Sequence, residues 1–127
     1  MYYLASPMVN PNMTDDTVNM EEYLHRNDKI CKKLEKQGFK IHLPQRDTNQ
    51  KLSSKKIFAT NIEALKNSKA VIVLLSETRG IYLEAGYAKG LGKKIIGLKV
   101  DETKALGIII RNFYTIQSIL PKDVVLD

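Results

Sequence analysis

The sequence predicts an α/β protein of the flavodoxin- or Rossmann-like class, with a doubly wound, mostly parallel five-stranded sheet and helices on both faces. Strand-like and helix-like segments alternate along the chain, as they do in an open parallel sheet covered on both sides. The segment "AVIVLL", residues 70–75, is an unbroken apolar run typical of a central parallel strand. At 127 residues the chain is long enough for one domain, which we expect to span residues 1–127.

The first half of the chain predicts two strands and two helices. The short apolar segment "MYYLAS" leads into Pro7, as a strand entering a loop does. Residues 17–37 carry apolar side chains near helical spacing and stop before Gly38, a natural helix end. "FKIHLP" alternates as a strand, "QRDTNQKLSS" predicts an exposed loop, and residues 54–68 predict a helix capped by Ser54.

The second half continues the alternation after the central strand. "SETRG" predicts a loop, "IYLEAGYAKGL" a helix closed by Gly92, and "KKIIGLKV" a fourth strand. "ALGIIIRNFY" predicts a short helix or turn, and "TIQSIL" a last strand. In such sheets ligands bind beyond the carboxyl ends of the strands, where the strand order reverses. The loops after the first strand and after the central strand therefore mark the expected crevice.

The amino-acid composition limits the classes of function that this protein can have. The 43% apolar and 27% charged fractions describe a soluble globular protein, and no apolar run approaches the ~20 residues of a membrane span. The N-terminus lacks the basic and apolar regions of a signal peptide, and a single cysteine, Cys31, fits a reducing cytoplasm. The net charge of +6 could favour nucleic acid or anionic small molecules. The lysines are scattered, so a solvated lysine face is the expected cause and nucleic acid is not the expected partner.

We expect neither a metal nor a cofactor. His25 and His42 lie far apart in sequence, with no cysteine or carboxylate cluster at ligand spacing. No glycine-rich dinucleotide fingerprint and no P-loop occurs. Cys31 lies in an apolar helical stripe and is interpreted as a core residue rather than a nucleophile.

Glu84 is the unusual residue of the predicted fourth helix. On that helix it shares one side with Ile81, Ala88 and Leu91, which are all apolar. Burying a charge is costly unless something compensates for it. One interpretation is an acid near a helix N-terminus, favoured by the macrodipole by roughly 0.3–1 kcal/mol. The other is a nucleophile or general base in a partly dry pocket.

Small residues surround this glutamate. Ala85, Gly86, Ala88 and Gly90 are expected to let the helix approach the sheet closely and leave room for a ligand. This surrounding favours the second interpretation of Glu84, as a group that works in a pocket.

Three segments together resemble the nucleoside 2-deoxyribosyltransferase family, whose relatives include deoxynucleoside 5′-monophosphate N-glycosidases. They are "YLASP" near the start, "SKAVIVLL", and "RGIYLEAGYAKGLGKKIIGLK". The resemblance implies that Glu84 attacks C1′ of the sugar, expels the nucleobase and forms a glycosyl-enzyme, from which water or another base takes the sugar. It implies that Tyr3 orients Glu84. A core aromatic at a strand end is the alternative for Tyr3.

The resemblance also assigns substrate contacts. Ser6 and Pro7 are expected to touch the ligand, although an ordinary turn serine is the alternative for Ser6. Asn61 stands where many relatives have an aspartate, and an amide can hydrogen-bond the departing base but cannot shuttle a proton to it. Thr78 stands where nucleoside-specific relatives have an aspartate that binds the sugar hydroxyls and where the monophosphate hydrolases have a phosphate-binding serine, and it resembles the second kind.

The remaining expected contacts lie in two loops or turns. Arg79 adds a cation suited to phosphate beside Gly80, with a solvated loop charge as the alternative. Ile109 is expected to cover the base and Asn112 to lie nearby. Both belong to "GIIIRNFY", which corresponds to the stretch that reaches a neighbouring subunit in relatives, so a homodimer or higher homo-oligomer is expected. A final packing helix without ligand contact is the alternative for that stretch.

The sequence therefore predicts an enzyme that cleaves the N-glycosidic bond of (deoxy)nucleosides or their 5′-monophosphates and passes the sugar to water or another base. A non-catalytic nucleotide-binding module on the same fold is the alternative, because Asn61 and Thr78 replace acidic positions of the family pattern. A receiver-type signalling domain is disfavoured, since Ala5 and Ser6 offer no acidic pair for Mg²⁺.

Overall fold

The computed structural model describes residues 1–6, 16–75, 79–99 and 115–117. The secondary-structure elements are, in chain order, β1 (Tyr2–Ala5), α1 (Asp16–Lys36), β2 (Ile41–His42), α2 (Pro44–Asp47), α3 (Ser54–Lys66), β3 (Ala70–Leu75), α4 (Arg79–Gly90), β4 (Lys94–Lys99) and β5 (Thr115–Gln117). Strands and helices alternate, as the sequence predicts. The predicted turn or helix of residues 105–114 lies outside the described residues.

The five strands form one parallel sheet in the order β2-β1-β3-β4-β5. The chain moves outward from β1 to the edge strand β2 and then returns to the other side of β1 to begin β3. The strand order therefore reverses between β1 and β3, which places the expected ligand crevice at the carboxyl ends of these two strands. This topology confirms the predicted doubly wound α/β fold.

Alternate residues of each strand face two separate cores, because side chains of a strand point to opposite faces. On one face, Tyr2 and Leu4 pack with residues of α1, including the buried Cys31 and Leu34. On the other face, Tyr3 and Ala5 join a second buried cluster supplied by α3 and α4. That cluster comprises Tyr3, Ala5, Leu65, Val71, Val73, Ala85, Ala88 and Ile95. Both faces of the sheet are covered, as the unbroken apolar run of β3 requires.

The segment predicted as an exposed loop after the second strand begins within a short helix and contains one buried residue. Pro44 begins the short helix α2, where its missing N–H costs nothing. The Leu43 N–H donates to Asp47 Oδ2 at 2.8 Å and closes the turn. Thr48, which follows, is only 2% exposed. The prediction of a loop was wrong for residues 45–47, which belong to α2, and the prediction of exposure was wrong for Thr48, whose hydroxyl is hydrogen-bonded to Asn61. Residues 46–47 and 49–54 are exposed, as predicted.

Arg46 fastens this turn to its neighbours. It donates to Glu35 of α1 at 2.9 Å and to both carboxylate oxygens of Asp47 at 2.9 Å. It also donates to the Ile41 carbonyl of β2 at 3.0 Å. A planar guanidinium can make these hydrogen bonds together, because its N–H donors point in different directions within one plane. The two-residue strand β2 is thereby held at the sheet edge.

Several local predictions are corrected by the structure. The residue that caps α3 is Ser53 rather than Ser54, since Ser53 Oγ accepts from the Lys56 N–H at 3.3 Å. The last helix begins at Arg79, two residues earlier than the pattern predicts. Gly38 and Gly92 do end their helices, with φ of 97° and 75°, values that favour glycine.

Leu91 is a further correction, because it is 46% exposed rather than on the buried side. It follows the last residue of α4, and the chain turns there toward Gly92. No helix in the described part of the chain has the length and apolar character needed to cross a membrane.

Candidate active site

Glu84 lies in the second turn of α4, at the border between the buried and exposed sides of that helix. Its neighbours Ala85 and Ala88 are fully buried against the sheet. Gly86 and Gly90 are exposed and face open space, so the alanines rather than the glycines provide the close approach. The prediction that these two glycines let the helix approach the sheet closely was wrong. Glu84 itself is half-buried, and its Oε2 atom is enclosed.

Tyr3 brings a hydroxyl to this glutamate from the middle of the sheet. It is fully buried in β1 on the face that α3 and α4 cover. The hydroxyl interacts with the Glu84 carboxylate. Tyr3 Oη and Glu84 Oε2 make no hydrogen bond of standard length and angle with any residue that the structure describes. Their contact is therefore looser than a standard hydrogen bond.

Burial dominates the electrostatics of the pair. It raises the pKa of Glu84 above the usual 4.5, while the Tyr3 hydroxyl acts in the opposite direction by favouring the carboxylate. Burial, and then the negative charge of Glu84, raise the pKa of Tyr3 well above its usual 10.0. Tyr3 therefore stays protonated and can only donate its proton toward the carboxylate.

This arrangement suits a carboxylate that reacts rather than one that only stabilises a helix. A partly desolvated carboxylate is a stronger base and nucleophile than one in water. A neutral O–H donor beside it can orient one oxygen without neutralising the charge. Among the sequence-predicted site residues, the structure brings Tyr3 and Glu84 together.

Ser6 lies at the carboxyl end of β1, where the strand order reverses. It follows the last residue of β1 and is half-buried. Its neighbour Ala5 is the register partner of Val73 in β3. Ser6 is thus positioned at the carboxyl edge, where a ligand is expected.

Asn61 is half-buried on α3, where its Oδ1 accepts a hydrogen bond from the Thr48 hydroxyl at 2.6 Å. No hydrogen bond joins Asn61 directly to Tyr3 or Glu84 in the part of the chain that is described. It is connected to Tyr3 through two residues that the sequence analysis did not select, Thr48 and His42.

His42 is the register partner of Tyr3 in the adjacent strand. Their rings are stacked, with centroids 5.5 Å apart and an interplanar angle of 13°. His42 Nε2 lies 3.3 Å from Thr48 Oγ1. Parallel pairing of the first two strands would have suggested the His42–Tyr3 contact, but no sequence signal identifies Thr48.

The other predicted contacts are not tested by the structure. Pro7, Thr78, Ile109 and Asn112 lie outside the described residues. Arg79 and Gly80 form the first turn of α4 by their backbone, and their side-chain surroundings are not described. Within residues 1–6, 16–75, 79–99 and 115–117, no three histidine, cysteine or acidic side chains are grouped as a metal ion would require.

Comparison with known proteins agrees with the fold and the sequence motifs. The sequence profile of the family "Nucleoside 2-deoxyribosyltransferase" matches residues 2–120. This match spans nearly the whole chain, so the chain belongs to the nucleoside 2-deoxyribosyltransferase family. No curated protein matches the chain by sequence.

Solved structures of the same fold include enzymes of two named kinds. A 2-deoxyribosyltransferase from Bacillus psychrosaccharolyticus superposes with a TM-score of 0.71 at 19% identity, over 89% of this chain and 81% of that chain. The CMP N-glycosidase BcmB of Clostridium botulinum gives 0.65 at 20% identity, over 96% and 91%. A 2-deoxyribosyltransferase from Leishmania mexicana gives 0.53 at 25% identity, over 79% and 64%.

Proposed function

We propose that this protein cleaves the N-glycosidic bond of (deoxy)nucleosides or their 5′-monophosphates, with Glu84 as the nucleophile. The half-buried Glu84 carboxylate beside the Tyr3 hydroxyl is the observation that carries the proposal. Family membership supports the reaction class, because the family is named for transfer of a 2-deoxyribosyl group. The structural neighbours include a 2-deoxyribosyltransferase and a CMP N-glycosidase. The activity is proposed for a single domain spanning residues 1–127.

The proposed reaction has two displacement steps at C1′ of the sugar. In the first, a Glu84 oxygen forms a bond to C1′ while the bond from C1′ to the base nitrogen breaks, and its electron pair leaves with the base. In the second, a water or a second base attacks C1′ and returns the carboxylate. Before the first step Tyr3 favours the ionised form of Glu84 and orients it, and it meets the carboxylate again when the second step breaks the bond between Glu84 and C1′.

Substrate contacts are proposed for the residues that border the crevice. Ser6 and Pro7 directly follow β1 in the sequence, Thr78 directly precedes α4, and Arg79 and Gly80 are the first two residues of α4. A hydroxyl and a guanidinium there suit the oxygens of a sugar or a 5′-phosphate. Asn61 is proposed to meet the base, as are Ile109 and Asn112.

Release of free base from a panel of deoxynucleosides and deoxynucleoside monophosphates tests the proposal. Wild-type protein is expected to release base, and Glu84→Gln is expected to lose at least about 10³-fold in rate. Glu63→Gln, which changes an exposed glutamate of α3, is the matched control and should behave as wild type. Full activity in Glu84→Gln would rule out the proposed nucleophile. Base exchange on addition of a second free base would identify a transferase, and its absence a hydrolase.

A non-catalytic nucleotide-binding module is the second candidate. It is favoured by Asn61, because the chain offers an amide rather than a proton donor of carboxylic type at that position. Calorimetric binding of nucleotides without release of base would support this alternative. Release of base above the level of Glu84→Gln would exclude it.

We also propose a homodimer or higher homo-oligomer that uses the outer side of α4. Leu83, Tyr87 and Leu91 are 74%, 38% and 46% exposed, and they follow one another at four-residue spacing along one side. An exposed apolar stripe of this kind is typical of an interface. A cytoplasmic location is proposed on the free, buried thiol of Cys31.

A further inference from the structure

His42 supports the Tyr3 ring from the neighbouring strand. The two residues pair in register between β1 and β2, and their rings stack almost in parallel. Burial lowers the pKa of His42 below its usual 6.5; the nearby Asp47 raises it and the Arg46 charge lowers it. The imidazole is therefore neutral near pH 7, with one ring nitrogen carrying a proton.

The Thr48 hydroxyl determines which nitrogen carries that proton. A hydroxyl has a single proton to donate, and that of Thr48 is given to Asn61 Oδ1 at 2.6 Å. The contact of 3.3 Å between Thr48 Oγ1 and His42 Nε2 must then run in the other direction. His42 Nε2–H donates to Thr48, and Thr48 donates to Asn61. Thr48 is 2% exposed, so water does not compete readily for these bonds.

The direction of the hydrogen bond from Thr48 to Asn61 determines how the Asn61 amide is oriented. An amide side chain normally offers both an acceptor and two N–H donors. Here Oδ1 accepts from Thr48, which orients the amide and leaves both Nδ2 hydrogens to meet a ligand. Residue 61 is thereby presented as a donor.

We propose that His42 and Thr48 are positioning residues that hold the Tyr3 ring and orient Asn61 so that its N–H group donates to an acceptor atom of the departing nucleobase. The inference rests on the proposed function and deepens it. Asn61 stabilises the electron pair that the base nitrogen gains when its bond to C1′ breaks. It does not supply a proton, so the base takes that proton from water.

Substitutions of Thr48 test the positioning role without touching the ligand-facing groups. Thr48→Val keeps the shape and removes the hydroxyl, so the acceptor of Asn61 loses its partner and the amide can rotate. We expect kcat for base release to fall about 10- to 100-fold, with KM changed by less than about threefold. Thr48→Ser retains the hydroxyl and should recover most of the rate. Equal rates in wild type and Thr48→Val, or equal losses in Val and Ser variants, would overturn the inference.

The tautomer of His42 provides a readout that does not depend on turnover. Nitrogen-15 NMR of the imidazoles near pH 7 should show His42 as the neutral Nε2–H form in wild type. Thr48→Val should reduce that preference, while the exposed His25 serves as the internal reference and should not change. A wild-type His42 that is protonated on Nδ1 instead, or on both nitrogens, would overturn the inference.

The two measurements separate failure of the inference from failure of the proposed function. Absence of base release from every substrate, with the Nε2–H tautomer present, would contradict the proposed function and with it the role of Asn61 toward a base. Base release that depends on Glu84 but not on Thr48 would leave the proposed function standing and overturn only the positioning role.

Discussion

The Tyr3 hydroxyl and the Glu84 carboxylate are buried against each other, one from the central part of the sheet and the other from the second turn of α4. Burial raises the pKa of both groups, and the hydroxyl partly offsets that rise for the carboxylate. The pair therefore combines a reactive anion with a neutral donor in a partly dry site. The prediction about pH dependence follows from the opposition between desolvation of the carboxylate and its loose contact with the hydroxyl.

Removing the Tyr3 hydroxyl should shift the pH dependence of the enzyme. The proposed mechanism needs the Glu84 carboxylate, so kcat/KM should rise with pH through the pKa of Glu84, which lies above the usual 4.5. Tyr3→Phe deletes the group that lowers this pKa, so the acidic limb should move to higher pH and the plateau should fall about 10- to 100-fold. Tyr2→Phe, on the opposite face of the sheet, is the matched control. An acidic limb at the same pH in Tyr3→Phe and wild type would show that the hydroxyl does not contact the carboxylate.

Neutralising Glu84 should stabilise the fold at neutral and alkaline pH. The folded-state pKa is raised, so the native state binds this proton more tightly than the unfolded chain does, and stability is lost as pH rises through the raised value. Glu84→Gln cannot ionise and escapes this loss. Chemical denaturation should find the variant more stable than wild type at pH 8, with the difference shrinking toward pH 4. Glu63→Gln should show no such trend, and a destabilised Glu84→Gln at pH 8 would contradict the assigned burial of the charge.

Cys31 should resist thiol reagents in the folded protein. Burial raises its pKa to about 12, a rise that the Arg46 charge only partly opposes. At pH 8 only about one thiol in 10⁴ is then ionised, and the sulfur is enclosed by the α1 side of the sheet. Labelling with a disulfide reagent should be slow in buffer and immediate in denaturant. Fast stoichiometric labelling of the native protein would contradict the buried position.

The core of β3 should dominate the stability of the sheet. Leu74 is fully buried in the central strand, whereas Leu52 is 36% exposed beyond α2. Leu74→Ala should lower the free energy of unfolding by about 3–5 kcal/mol through lost burial and the cavity left behind. Leu52→Ala should cost less than about 1 kcal/mol. Similar losses in the two variants, measured by denaturant titration, would contradict the assignment of β3 as the central strand.

The outer side of α4 should govern self-association. A charge in place of Leu83 would be exposed in the monomer at little cost but buried without a partner in an interface. Sedimentation velocity of Leu83→Glu is expected to show a monomer, against a dimer or larger species for wild type. Leu52→Glu, another exposed leucine away from α4, should associate as wild type does. A wild-type monomer at micromolar concentration would contradict the proposed interface.

The sequence was sufficient for the fold, and it singled out Glu84, whose catalytic role stays a prediction. An unbroken apolar β3, alternation of strands with helices and a carboxylate on an apolar helix side together predicted the sheet and Glu84. Thr48 could not be predicted, because it is buried by a network of polar side chains rather than by apolar character. The cap of α3 at Ser53 and the start of α4 at Arg79 differ from the predicted positions by one or two residues. Exact helix ends depend on local hydrogen bonding, which hydrophobic periodicity does not encode. Leu91 was misplaced because the chain leaves the helix at Gly90.

The most direct test of the catalytic assignment is to identify the residue that bears the sugar during turnover. Enzyme mixed with a deoxynucleoside or its monophosphate, quenched in acid and digested, should yield a peptide spanning residue 84 whose mass is increased by the sugar or sugar phosphate, with fragmentation locating the addition on Glu84. Glu84→Gln should give no such peptide. A sugar attached to another residue, or base release at wild-type rate from Glu84→Gln, would contradict the account.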